Sequence, residues 1–394
     1  MSKTLSDIRT ILKNKSQSPN ISDTYLNDAI NEAISVTRAK YKLPSAKRKA
    51  TITIYPNVNI YPLPIQTGET TTDFDSICDL QEWWDGEMAN TSNFRRTTQS
   101  ILAQKPNTFT DLITEYSYNG NKMLLVNYTP PESAEITLNT FDSYDGDGTW
   151  TATGEAGSVA TDIMTYVQGS GSVKFNVTAA GGLSAGIYNT GTSSTDLDDY
   201  EYTGRIFAYV YIPAGCASYI TSIDLRWGSS DSAYWSNSVT TQHNGLAFTE
   251  GWNLVSVAWS SATETGTVDN TAINYLRVNF NYSASLTSTN GFRVDGMYFR
   301  LGQELSFEYN SSRWVRDSNG IWLDEFISST DYFVGTNDEL YLIVYSALSY
   351  IHRAVVIDDV KAQYWEQKFI NHLNELRSLN PHDIKQKGQE YYNL

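Results

Sequence analysis

Apolar residues at Leu340, Ile343, Val344, Ala347, Leu348 and Ile351 recur at the spacing that lines one side of an α-helix, with charged and hydroxyl residues filling the other side. Asp338 stands where an N-cap belongs. Beyond Val356 and Ile357, Asp358 and Asp359 set negative charge at the start of a second helix, where the dipole favours it. Ala362, Trp365, Phe369, Leu373 and Leu376 form its apolar face, and Pro381 stands just past its end. Two such helices joined by a short turn make an αα-hairpin whose apolar seam needs a partner. The pattern supplies one at the opposite end of the chain. Leu5, Ile8, Ile11 and Leu12 predict a helix over 4–15; after Pro19, Ser22 caps a second helix that carries Leu26, Ile30, Ala33, Ile34 and Thr37 and stops before Pro44.

From Thr51 the period changes to that of strands, in ATITIYP and NIYPLP with prolines at their edges. Asn119-Gly120 between two alternating runs is the strongest hairpin signal in the chain. The strand AEITLN leads into a Gly-, Ser- and Thr-rich region of short alternating segments: SVKFNV, RIFAYVYIP, ITSIDLRW, NLVSVAWS, NYLRVNFNYS and FRVDGMYFRL. That is the signature of a β-sandwich. The host pattern resumes at ELSFEYN. The fold class read from this is α+β: a helical-bundle module with a small β part, interrupted by an all-β jelly-roll sandwich. The expected divisions are 1–139, the inserted sandwich at 140–303, the helical hairpin at 304–379 and an extended tail at 380–394.

Composition adds charge asymmetry. The chain of 394 residues has a net charge of -16, yet residues 1–50 carry ten Lys or Arg against four Asp or Glu, while 135–303 carry six against sixteen. Balances of +6 and -10 point to two parts with different partners, and exclude a protein that coats nucleic acid with its whole surface. Cys78 and Cys216 fall in different parts, so no disulfide framework is expected. No apolar run is long enough to span a bilayer. His243, His352, His372 and His382 have no Ser or Cys in a nucleophile context, and histidines in a helical hairpin are usually solvated or capping. Phosphate-loop, HExxH and CxxC motifs are absent. An enzyme is not expected.

Four groups of residues carry candidate chemistry. SYDGDG fails as an EF-hand, because Ser143 and Gly154 stand where acids belong. Asp142, at the first strand of the sandwich, and Asp295, in its last, would meet where jelly-roll ends lie side by side and would suit a structural Ca²⁺, the one cofactor expected. Among the tryptophans of the insert, Trp227 and Trp259 alternate with aliphatic residues and are expected in the core; Trp235, beside Tyr234 in a polar stretch, is the surface candidate for stacking on a sugar. Lys40, Lys42, Lys47, Arg48 and Lys49 form a basic strip without interleaved aromatics, which favours protein docking, or simply a solvated helix end with cations at its negative pole, over nucleic acid. The tail ends in Tyr391, Tyr392 and Leu394, which would anchor it on a neighbouring protein in an assembly; plain disorder is the equal alternative.

TLSDIRTILKNK, ISDTYLNDAINEAISVTRAKY, NGNKMLLVNYTPP, DELYLIVYSALSYIHRA and KAQYWEQKFINHLNEL together resemble the head-to-tail adaptor (connector) proteins of tailed bacteriophages, over about 1–139 and 304–394. The resemblance implies a structural virion protein at the head–tail junction, assembled in the host cytoplasm. It would form a homo-oligomeric ring, usually a dodecamer, beneath the portal. Such a ring receives the tail or nozzle proteins, continues the channel through which DNA passes without sequence specificity, and sends its C-terminal tails to the portal. The basic strip and the tail residues would then contact the portal or neighbouring copies. NTFDSYDGDGTW, GSGSVKFNVT, EGWNLVSVAWS and FRVDGMYFRL are similar to jelly rolls of the carbohydrate-binding-module type. That implies a decoration domain able to meet surface glycans, and leaves open the alternative of a carbohydrate-binding adhesin anchored to the particle.

Overall fold

The computed structural model describes residues 3–66, 69, 71–80, 82–84, 87–89, 95–96, 115–119, 122–125, 133–178, 181–284, 286 and 288–379. The chain forms two compact units, one comprising Met1–Thr51, Pro64–Gln81 and Ser306–Leu394, the other Ile52–Leu63 and Glu82–Leu305.

In the first unit α1 (Leu5–Ser16) and α2 (Asp23–Arg38) pack on α3 (Asn337–Ala354), which packs on α4 (Asp359–Leu379). Thr4 closes a capping box with Asp7, and Ser22 caps α2 as its position predicts. Helix α3 begins differently from expectation. Its N-cap is Thr336, and the box is completed by Glu339, so Asp338 lies inside the first turn. Asp358 accepts from the Lys361 amide at the start of α4. The predicted stripe of α3 is buried against α1 and α2, in a core of Leu5, Ile8, Leu26, Ile30, Ile343 and Leu348. Helix α4 also leaves apolar side chains outside: Val360 is 80% exposed, and Tyr364 one turn on, Ile370 and Leu379 are exposed at other positions round the helix. His352 is buried rather than solvated. A three-stranded sheet sets Gln303–Ser311 between Lys47–Ile54 and Phe74–Leu80.

The second unit is a two-sheet sandwich built from β1 (Ala134–Asn139), β2 (Thr151–Gly154), β3 (Ala156–Asp162), β4 (Ser172–Val177), β5 (Ser184–Asn189), β6 (Arg205–Ile212), β7 (Ile220–Ser230), β8 (Ala233–Val239), β9 (Gly251–Ala258), β10 (Thr263–Thr265), β11 (Tyr275–Tyr282) and β12 (Ser288–Leu301). One sheet runs β3-β4-β12-β6-β9 with β1 also on β12; the other runs β2-β5-β11-β7-β8-β10. Alternation sends Ile206, Ala208 and Val210 of β6 and Leu276, Val278 and Phe280 of β11 into one shared core, where Trp227 and Trp259 meet edge to face at 5.8 Å.

The sandwich unit takes in more chain than 140–303. Strand β1 is a full member of its sheet, with Ala134 opposite Leu301, so the boundary expected at 139/140 falls inside the unit. The segment Ile52–Leu63 and the strands Glu115–Asn119 and Lys122–Leu125 also belong to it. Those two strands pair with Asn119 opposite Lys122, as the hairpin signal predicts; residues 120–121 of the turn lie outside the described residues.

Candidate functional site

The two outer faces of the sandwich differ. Outside β6 and β9, Tyr55 stacks edge-on against Phe207 at 5.1 Å, and Tyr61 lies against His243 at 6.0 Å. Tyr61 is buried, with its hydroxyl donating to the Val58 carbonyl. Burial, and then the charges of Arg205 and Arg300, push the His243 imidazole down to about 3, so it is neutral there. What remains open on this side is a cleft of about 200 Å³ lined by residues that include Asn57, Tyr209, Gln242, Asn244 and Trp252.

The other face is that of β5, β11, β7 and β8, where Tyr188, Tyr234, Arg226 and Arg277 are partly exposed. Strand alternation places every second side chain there, and register lines them up in rows. Tyr188 stands opposite Arg277, Arg277 opposite Arg226, and Arg226 opposite Ser236. The next row is Gly186, Asn279, Asp224 and Ser238; beyond it Asn281 faces Ser184 and Ser222. On the other side Gly228 separates Tyr275 from Tyr234. Gly186 is required: a Cβ there would come within 2.3 Å of the Val278 carbonyl oxygen.

Hydrogen bonds fix this surface in part. The Arg226 guanidinium lies 4.8 Å from the Tyr234 ring centre and donates to its hydroxyl at 3.0 Å. Asn281 donates to Ser222 and Asp224 at 2.9 Å each, Ser238 donates to Asp224 at 2.6 Å, and Asn279 donates to Asn281 at 3.0 Å. Three buried polar atoms have no protein partner: Arg226 Nε, Arg277 Nε and Asn279 Oδ1. Aromatic rings beside amides, a carboxylate and guanidiniums are the groups that stack on sugar rings and bond their hydroxyls.

The sequence candidates fare unevenly. Trp235 is not on the surface. It is 2% exposed, its Nε1 donates to Asn270 at 3.0 Å, and its ring lies edge-on to Trp259. A polar stretch in sequence is here a strand, so Tyr234 points out and Trp235 in. The other residues of the open face, Tyr188, Arg226, Arg277 and Asn279, were missed because they are spread over three strands far apart in sequence. Only register assembles them, although alternation in NYLRVNFNYS already put Arg277, Asn279 and Asn281 on one side.

Asp142 and Asp295 come together under one loop. The amides of Val167 and Gln168 donate to Asp295 Oδ2 at 2.5 and 2.9 Å, and those of Ser170 and Gly171 donate to Asp142 Oδ1 at 2.5 and 3.2 Å. Gly296, at φ +60°, makes a bulge beside Asp295 in β12. Burial, aided by the neighbouring Asp142 charge, raises the Asp295 carboxyl to about 6 even though two amides oppose the shift. Its Oδ1 is buried with no partner. A cation fits these groups, since it would satisfy that oxygen and offset both charges. Among the described residues no third His, Cys, Asp or Glu joins them, so main-chain oxygens would complete the shell.

The basic strip is not one surface. Lys47 and Lys49 are exposed, but Arg48 points the other way, paired with Asp73 at 2.5 Å and Glu69 at 2.9 Å beneath Trp322. Lys42 pairs with Asp75 at 2.5 Å, and Lys40 lies over the Phe369 ring. Tyr391, Tyr392 and Leu394 lie outside the described residues.

No family model and no curated protein matches this chain. Solved structures do. A family 11 carbohydrate-binding module from Clostridium thermocellum, in complex with a β-1,3-1,4-mixed-linked tetrasaccharide, is 14% identical and covers 42% of this chain and 94% of its own, with a TM-score of 0.29. The family 11 module of a cellulosomal cellulase from the same organism is 18% identical over 43% of this chain and 95% of its own, with a TM-score of 0.28. A family 30 module of another of its cellulosomal cellulases is 12% identical over 42% and 96%, with a TM-score of 0.28. The likeness is one of β-sandwich fold. What this chain binds has to be read from its own residues.

Proposed function

We propose that this protein binds carbohydrate, without catalysis, through the open face of its sandwich, and that the helical unit holds this domain on a larger assembly, a virus particle. One observation carries the reading: Tyr188, Tyr234, Arg226, Arg277, Asp224 and Asn281 line one sheet face and are all partly exposed on it. The rings can stack on a sugar, and the guanidiniums, carboxylate and amide can bond its hydroxyls. A glycan array probed with the full chain tests it. Binding that Tyr234→Ala weakens about tenfold is the expected result; an array with no binder sinks the reading.

A second reading, the head-to-tail adaptor, is favoured by the apolar side chains that α4 exposes. Val360, Tyr364, Ile370 and Leu379 find no cover within the described residues, and a ring of copies packed side by side would bury them. Portal, tail proteins and passing DNA would then be its neighbours. Electron microscopy of purified protein mixed with portal tests this; a monomer under all conditions, absent from particles, removes it.

A further inference from the structure

Arg226 and Arg277 are register partners on adjacent strands, both half-buried on the open face. Like charges directly opposite each other in a sheet repel, and the repulsion is ordinarily relieved by a carboxylate nearby. None is supplied here. Among the described residues neither arginine has an acidic group within ion-pair distance, although Arg293 and Arg300 of the same sandwich pair with Asp162 at 2.7 Å and Glu135 at 2.6 Å. The carboxylate on the face, Asp224, is taken up by Ser238 and Asn281. Both Nε atoms are buried without a partner. The unit is acidic, with six cations against sixteen anions over 135–303, so two unneutralised guanidiniums side by side are a local feature set against the background charge.

We infer that the sugar recognised on this face carries a carboxylate, so that the ligand is a uronic-acid polysaccharide, its acid group seated between Arg226 and Arg277. This rests on the carbohydrate reading above and narrows it. The terminal nitrogens of the two guanidiniums, which no protein carboxylate takes up, match a planar carboxylate through charge-assisted hydrogen bonds. Asp224 in the adjoining row selects further. It can accept from a sugar hydroxyl, but it disfavours a dianion such as a phosphate monoester more than a singly charged carboxylate. Tyr188 at one end of the arginine row, and Tyr234 in the adjoining row on β8, supply flat apolar surface for the flanking rings.

The test is calorimetric titration of the full chain with oligogalacturonate, oligoglucuronate, oligomannuronate and a sulfated oligogalactan of equal length, and with the methyl-esterified form of each uronate. Esterification removes the charge and leaves the sugar ring. The expected result is that at least one free acid binds about tenfold or more tighter than its ester, and that Arg277→Gln erases this difference while Arg277→Lys restores part of it. Equal binding of acid and ester overturns the charge inference and leaves the carbohydrate reading standing. Preference for the sulfated chain overturns the choice of carboxylate. No binding to any of these probes, with neutral glucans bound on the array, also overturns it; no binding to any glycan ends both.

Discussion

Asp142 and Asp295, 153 positions apart in sequence, are held by consecutive amides of the single loop that contains Val167, Gln168, Ser170 and Gly171. A buried carboxylate with one orphan oxygen next to a second carboxylate is costly unless a cation neutralises the pair. Calcium added to chelator-treated protein should therefore raise its melting temperature, by an amount equivalent to about 2.7 kcal/mol at a hundredfold excess over Kd. Asp295→Asn should abolish the response. A melting curve indifferent to both calcium and chelator would show that the pair is held by hydrogen bonds alone.

Trp235 and Tyr234 should behave oppositely although they are neighbours. Trp235→Ala opens a cavity beside Trp259 and should cost about 3–5 kcal/mol in urea unfolding. Tyr234→Ala should cost about 1 kcal/mol or less while weakening glycan binding about tenfold. Equal loss of stability in both variants would contradict the placement of one ring inside and the other outside.

Acid should unfold the helical unit through Asp73. Burial works to raise this carboxyl, but hydrogen bonds from Ser311, Tyr309 and Arg48, with the Arg48 charge, outweigh it and hold it below its ordinary value of 3.8. The folded state therefore binds the proton more weakly than the unfolded chain. The resulting stability is present above pH 3.8 and is lost as pH falls through the lower folded value. Asp73→Asn, which leaves Arg48 with Glu69 alone, should destabilise by about 1–3 kcal/mol at neutral pH and flatten the acid limb of the unfolding profile. An unchanged acid limb in that variant would assign the acid sensitivity to other carboxylates.

Val360→Glu tests the exposed side of α4 that Val360 and Tyr364 share. Because Val360 is exposed, the substitution should leave monomer stability within about 0.5 kcal/mol. Light scattering should then report loss of any self-association that wild type shows. Persistence of the full assembly in the variant would mean that α4 faces solvent there too.

Helical periodicity was legible wherever one stripe of a helix is buried. Leu26, Ile30 and Ile34, or Ile343, Ala347 and Ile351, declare their elements because burial and spacing coincide. Thr336 was missed as a cap because Asp338, two residues later, satisfies the same compositional rule; only the reciprocal bond of Glu339 to the Thr336 amide decides between them. The strands of the sandwich were legible one at a time, but which strands are neighbours was not. Tyr188, Arg277 and Arg226 make one row only because β5, β11 and β7 pair in that order and register. Arg48 was misjudged for a related reason: Lys47, Arg48 and Lys49 read as a run of charge, whereas a strand sends the middle one to the opposite side.

The pairing of Ala134 with Leu301 bears on how the chain is made. Asn31 bonds to the main chain of Phe326, 295 positions later, so during synthesis the first two helices emerge from the ribosome long before their packing partners exist. A sandwich that folds meanwhile returns the chain to the point at which it departed. The loop left for the helices to close is then far shorter than the intervening sequence, and since closure entropy grows with the logarithm of loop length, the last elements translated can dock at reduced cost. The nascent polypeptide is in this way prepared for its final step by the domain in its middle.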